Sequence, residues 1–175
     1  NISVNDLIWP IFLIEGKDKI EPINELPGVN RYTIDKLIEI ASKAFELGIK
    51  CVALFPRTPT NLKTQNCEEA YNPENLVNKA TRLLKKKIPD LGIMLDVALD
   101  PYNSLGHDGL VKDDKILNDE TLEILIKQSL VQAESGADIL GPSDMMDGRV
   151  KLIRDNLEKN NFKHTLILSY SAKFS

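Results

Sequence analysis

Gly92-Ile93-Met94-Leu95-Asp96-Val97, continuing into Ala98-Leu99-Asp100, is a short apolar run with a carboxylate set inside it. A run of this length opened by a glycine suits a strand buried on both faces, and an acid on such a strand needs a partner or a purpose. Similar apolar runs lie on either side, at 7–14, 51–55, 137–140 and 166–168. Pro10 falls inside the first of these. It would remove a ladder donor, so this strand is predicted to be irregular there.

Helical patterns separate the runs. Ile34, Leu37, Ile38, Ala41, Ala44 and Phe45 recur at helical spacing behind Thr33 as N-cap, and Gly48 stops them. Residues 15–32 read as a polar loop turning at Pro27-Gly28. Asn72-Pro73 predicts a second helix start, with the helix reaching about Lys87. Asn118 reads as the cap of a third, with Leu122, Leu125, Ile126, Leu130 and Ala133 as its apolar face and Gly136 as its end. A fourth covers 148–160. Strands and helices therefore alternate from a first strand to a fifth, which predicts a parallel sheet with helices outside. No linker or composition shift interrupts residues 1–175, so a single domain is expected.

Two architectures fit that alternation, a doubly wound sheet and a (β/α)8 barrel. The polar residues decide between them. Asp96, Ser143, Asp144 and Lys173 all fall at C-terminal ends of strands, where barrel enzymes assemble their sites. The first βα turn, Gly16-Lys17-Asp18, lacks the glycine-rich pattern of a nucleotide fold. The expected fold is α/β, with about the first five units of an incomplete (β/α)8 TIM barrel.

Composition narrows the function. Of 175 residues, 42% are hydrophobic and 27% charged, enough for a real core, and the net charge of −4 with dispersed Lys and Arg argues against a nucleic-acid surface. Lys85-Lys86-Lys87 suits the negative end of a helix dipole. Cys51 and Cys67 lack metal-ligand spacing and suggest a reducing compartment, the cytoplasm. No apolar stretch approaches the ~18 residues of a membrane span.

Lys173 ends the stretch Ser169-Tyr170-Ser171-Ala172-Lys173. A lysine in this place, buried and desolvated beside Phe174, becomes an amine nucleophile for Schiff-base chemistry, although a solvated lysine beyond a strand has the same sequence. Asp96, Asp100, His107 and Asp108 fall within thirteen residues. They suit either a hard-cation site or a loop of Asx turns, and His107 alone reads as a hydrogen-bonding loop residue. Ser143 and Asp144 suit substrate contact or capping of the next helix.

Three stretches, DVALDPYNSLGHDGL (96–110), GPSDMMDGR (141–149) and LSYSAKF (168–174), resemble signatures of the porphobilinogen synthase, or 5-aminolevulinate dehydratase, family. EAYNP at 69–73 and LNDET at 117–121 fit the same pattern. The resemblance implies a TIM-barrel hydro-lyase that joins two 5-aminolevulinate molecules into porphobilinogen, with loss of two waters, in haem and tetrapyrrole synthesis. It implies that Lys173 forms a Schiff base and that Asp96, Ser143 and Asp144 surround the substrate amine. Zinc-using members carry cysteines where Ala98, Asp100 and Asp108 stand here. The resemblance therefore implies no zinc, with magnesium or a monovalent cation at Asp100 and Asp108. It also implies a homo-octamer, and a chain truncated at both ends and inactive alone. The N-terminal arm would be mostly absent, and a second Schiff-base lysine and carboxylate-binding arginines would lie beyond Ser175. A class I aldolase-like lyase sharing Lys173 and a non-catalytic assembly fragment are the alternatives.

Overall fold

The computed structural model describes residues 1–173. In chain order its elements are β1 (Ile8–Leu13), β2 (Ile20–Pro22), β3 (Asn30–Tyr32), α1 (Ile34–Glu46), β4 (Cys51–Pro56), α2 (Leu76–Lys87) and β5 (Gly92–Val97). There follow β6 (Val111–Lys112), β7 (Lys115–Ile116), α3 (Asn118–Glu134), β8 (Ile139–Pro142), α4 (Arg149–Lys159) and β9 (Leu166–Ile167). The main sheet has the order β2-β3-β1-β4-β5-β8-β9. Within it β1, β4, β5, β8 and β9 are parallel neighbours in chain order. This is an incomplete (β/α)8 barrel, the fold class expected from the alternation of apolar runs.

Register sorts side chains onto two faces. Trp9, Ile11 and Leu13 align with Val52, Leu54 and Pro56, and Val52 and Leu54 align with Ile93 and Leu95. This outer face packs under the helices, and Leu13, Val52, Ile93, Leu95 and Leu140 have no exposed surface. Trimming one of these leucines to alanine would cost roughly 2–5 kcal/mol through lost burial and an unfilled cavity. The inner face carries Pro10, Phe12, Ala53, Phe55, Met94 and Gly141 in matching register. Phe12 and Phe55 pack with ring centroids 5.7 Å apart. The Met94 methyl occupies the space where a Cβ on Gly141 would lie, so a side chain there would require Met94 to move. A cavity of about 330 Å³ opens on this face between Ile8, Pro10, Ala53, Phe55, Met94 and Leu168.

Several local expectations need correction. Pro10 causes no irregularity, since β1 pairs with β4 at six successive positions including Pro10 with Ala53. On its other side β1 meets β3 only at Phe12 and Leu13, so the missing donor has no ladder to break. The polar loop at 15–32 contains the β2–β3 hairpin. The fourth strand, Ile139–Pro142, lies two residues later than the apolar run suggests, although the Asp138 backbone already bonds the Ile93 carbonyl and the Leu166 N–H.

Helix starts also differ. The second helix is capped by Asn75, whose side chain accepts the Asn78 N–H at 2.9 Å. Asn72 instead closes the preceding turn on the Glu74 N–H. Asn118 is the first residue of α3, and its side chain bridges to the backbone of Asp147. The ribbon β6–β7 turns at Asp113-Asp114, both at positive φ, the two-residue hairpin geometry. The buried side of α3 includes Leu122, Leu125 and Ala133 of the expected stripe, with Ile126 and Leu130 partly buried, and it extends to Thr121, Gln128, Ser129 and Gln132, which the apolar pattern does not mark.

Candidate active site

The parallel strands all point their C-terminal ends at one rim, and the loops leaving them bring the sequence-marked residues together there. Asp96 is the last inward-facing residue of β5, in register with Gly141 of β8. A turn follows, held by Leu99 carbonyl bonds to the N–H groups of Tyr102 and Asn103, and it carries Asp100. Ser143 and Asp144 leave the end of β8. Lys173 arrives from β9 after Tyr170 has bonded the Pro142 carbonyl at 3.1 Å.

Lys173 Nζ lies 3.2 Å from Asp108 Oδ2 and donates to the Ser143 carbonyl at 2.7 Å. Its side chain is 37% exposed, so the expected burial is absent among the described residues. The expected packing beside Phe174 lies outside them. The amine faces two oxygens, those of the Asp108 carboxylate and the Ser143 carbonyl.

Three rim carboxylates, Asp96, Asp100 and Asp144, are destabilised as anions. Burial pushes Asp96 up to about 7, with the Ser143 hydroxyl and the Lys173 charge pulling the other way. Asp96 Oδ1 has no hydrogen-bond partner among the described residues. Burial also raises Asp100, and the nearby charge of Asp108 adds to it. Asp144 has a fully buried side chain and is raised by that burial, against the Met146 N–H and Arg149. Its Oδ1 accepts the Met146 N–H at 2.7 Å, and Arg149 Nε lies 3.2 Å from Oδ2. Neither Ser143 nor Asp144 caps α4, whose N-cap is Gly148, so the capping expectation fails.

His107 holds its own loop, its Nδ1 accepting the Gly109 N–H at 2.9 Å. Among the described residues no three of His, Cys, Asp and Glu gather closely enough to hold a metal ion. Asp108 directs Oδ2 at Lys173 and not toward a cluster. Asp100 and Asp108 by themselves are too few ligands to hold a metal ion among the described residues. Burial holds the Cys51 thiol at about 11 and the Cys67 thiol at about 12, so neither is a nucleophile.

The structure adds residues that the sequence did not single out. Arg31, Arg57 and Lys63 line a cavity of about 300 Å³ with Asp96 and Asp100. Arg31 and Arg57 both contact Glu21 of β2. These cations lie on a hairpin and loop with no apolar pattern, so only the fold brings them to the rim.

A buried acid beside an amine at the open end of a barrel suits carbonyl chemistry. The delta-aminolevulinic acid dehydratase family model matches residues 1–175. The chain is 49% identical to the delta-aminolevulinic acid dehydratase of Bradyrhizobium diazoefficiens, over 99% of this chain and 49% of that protein. It is 48% identical to the chloroplastic enzyme of Chlamydomonas reinhardtii, over 100% of this chain and 45% of that one. The crystal structure of the Toxoplasma gondii dehydratase (porphobilinogen synthase) in complex with its product porphobilinogen superimposes with a TM-score of 0.96. That match has 41% identity and covers 99% of this chain and 50% of the other. The chain spans about half the length of the curated relatives it matches. On the full-length match to the family model and the superposition of the fold, this chain belongs to the delta-aminolevulinic acid dehydratase family.

Proposed function

We propose that these residues form the Lys173 part of a porphobilinogen synthase, which condenses two molecules of 5-aminolevulinate to porphobilinogen with loss of two waters. The observation that carries the reading is the placement of Lys173 against Asp108 and Ser143, beside the buried carboxyl of Asp96. Lys173 Nζ sheds a proton, for which Asp108 Oδ2 is the adjacent acceptor. The free amine adds to the ketone carbon of one substrate, and loss of the ketone oxygen as water leaves an imine. The imine acidifies the neighbouring carbon, and a carboxyl titrating near neutrality, Asp96, is suited to move that proton. In this reading Ser143 and Asp144 hold the substrate amine.

Further parts of the reading rest on chemistry and family membership. The sites that complete the reaction, a second lysine and carboxylate-binding arginines, belong outside these residues, and the 175-residue chain alone is expected to be inactive. The absence of thiolates at Ala98, Asp100 and Asp108 supports a zinc-free enzyme, with magnesium or a monovalent ion as the cation it uses. Exposed Ile2, Leu7 and Leu47 support a homo-oligomer, an octamer in this reading. Free Cys51 and Cys67 support a reducing compartment, the cytoplasm, while the chloroplastic relatives offer the plastid. No helix among the described residues is long and apolar enough to cross a membrane.

The deciding experiment treats the full-length enzyme carrying these residues with 5-aminolevulinate and borohydride. The expected result is porphobilinogen without borohydride and a reduced adduct on Lys173 with it. An active enzyme whose label never maps to the 166–175 peptide would refute the role of Lys173.

A further inference from the structure

Two glutamines on one face of α3 are buried as completely as core leucines. Gln128 has no exposed surface and Gln132 has 1%. Their spacing puts them one above the other, one helical turn apart. Gln132 Nε2 donates to the Asp96 carbonyl at 2.8 Å, and Gln128 Nε2 donates to the Ala98 carbonyl at 3.1 Å. Both Oε1 atoms lack partners among the described residues. Orphaned acceptors in a core are unfavourable, and leucine or methionine would fill the same space without them. An amide at these two positions therefore needs a reason beyond packing.

The reason lies in what the carbonyls belong to. The registered pairs of β4 with β5 end at Leu95, and those of β5 with β8 end at Val97. Past that point the backbone leaves the sheet for the turn at Leu99–Asn103. The two amides grip this exit on either side of Val97. Asp96 hangs from the first gripped residue, and Asp100 follows two residues after the second. The buried face of α3 is widened for the same reason, since it presents Gln128 and Gln132 to the strand beside Leu125 and Ala133.

We propose that Gln128 and Gln132 are positioning residues that fix the exit of β5, and through it the carboxyl groups of Asp96 and Asp100, relative to Lys173. The proposal rests on the porphobilinogen synthase reading for its catalytic consequence, but its structural half stands without it. Methionine is the informative replacement, because it keeps the length of glutamine and removes both the donor and the orphaned acceptor.

The experiment uses the full-length enzyme with Gln132→Met, Gln128→Met and, as a control, Ser129→Ala. Ser129 bonds only the Leu125 carbonyl of its own helix. Three quantities are measured: melting temperature, kcat and KM for 5-aminolevulinate, and amide hydrogen exchange of the 96–109 peptide. The expected result for the methionine variants is a modest fall in melting temperature, from the carbonyls left without a donor, with the protein still fully folded at the assay temperature, and faster exchange in 96–109. Their kcat should fall roughly 10- to 100-fold with little change in KM, as misplaced reacting groups produce. Ser129→Ala should leave kcat unchanged. Methionine variants with wild-type kcat, or with unchanged exchange, overturn the proposal. So does a fall in melting temperature that accounts for the lost activity, since the glutamines would then be structural. If the wild-type enzyme forms no porphobilinogen, the functional reading fails separately, and the exchange measurement alone decides whether the amides hold the turn.

Discussion

Asp138 and Asp96 sit at opposite ends of neighbouring strands, and their surroundings could hardly differ more. Asp138 precedes β8 at the lower end of the sheet. Its Oδ2 accepts the Ile93 N–H at 2.8 Å and lies 3.1 Å from Lys85 Nζ. That ammonium also bonds the carbonyls of Pro89 and Leu91. Asp96, at the upper end, keeps an oxygen without a partner and is pushed to about 7 by burial. The same residue type is satisfied where the barrel is held together and left unsatisfied where it works. Barrels divide stability and chemistry between their two ends in this way.

Four measurements test that division, taken from the largest effect to the smallest. Lys173→Arg should abolish both porphobilinogen formation and borohydride trapping while leaving the melting temperature near wild type. A guanidinium stays charged and cannot attack a carbonyl. Residual trapping elsewhere at the wild-type rate would move the chemistry away from this rim.

Asp96→Asn should lower kcat by roughly 10²–10⁴-fold, the range for a general acid–base group. It should also stabilise the fold at high pH. The Asp96 carboxyl is raised from 3.8 to about 7, so the folded state prefers the protonated form. That contribution is fully present below about pH 4 and is lost as pH rises through about 7. Asparagine removes the loss, so the advantage of the variant should grow across this window toward an upper bound of about 4 kcal/mol. Thermal melts at pH 4 and pH 8 that show the same difference would break the comparison.

Asp138→Ala should do the reverse, costing about 1–3 kcal/mol of stability through the unpartnered Ile93 N–H and Lys85, with kcat unaltered. Denaturant melts and kinetics of one preparation check both halves. The smallest effect concerns metal. Purified full-length protein should hold no stoichiometric zinc by elemental analysis, because carboxylates replace the soft ligands. Zinc retained through mild chelation would contradict this.

The sequence was legible where one local pattern carries the information. Apolar runs placed all five parallel strands, and glycines 48 and 136 marked helix ends by taking positive φ. Asp96, Ser143, Asp144 and Lys173 could be grouped because each falls at the C-terminal end of an apolar run. The β2–β3 hairpin was invisible because its strands have three residues each and no alternation. The pairing of Lys85 with Asp138 spans 53 residues and depends on which helix face meets which strand, so the lysine read as a dipole partner alone. Gln128 and Gln132 were passed over for a related reason. A buried amide cannot be told from an exposed one until its carbonyl partner is placed.

The turn after β5 has one more attachment. Thr64, on the long connection after β4, donates its N–H to the Tyr102 carbonyl at 3.1 Å and accepts the Ser104 N–H at 3.0 Å. Barrel enzymes diversify by changing one rim loop while the others stay as they are. Here that freedom is curtailed. An insertion or deletion near Thr64 would drag the peptide that follows Asp100, so the two connections can vary in length only as a linked pair.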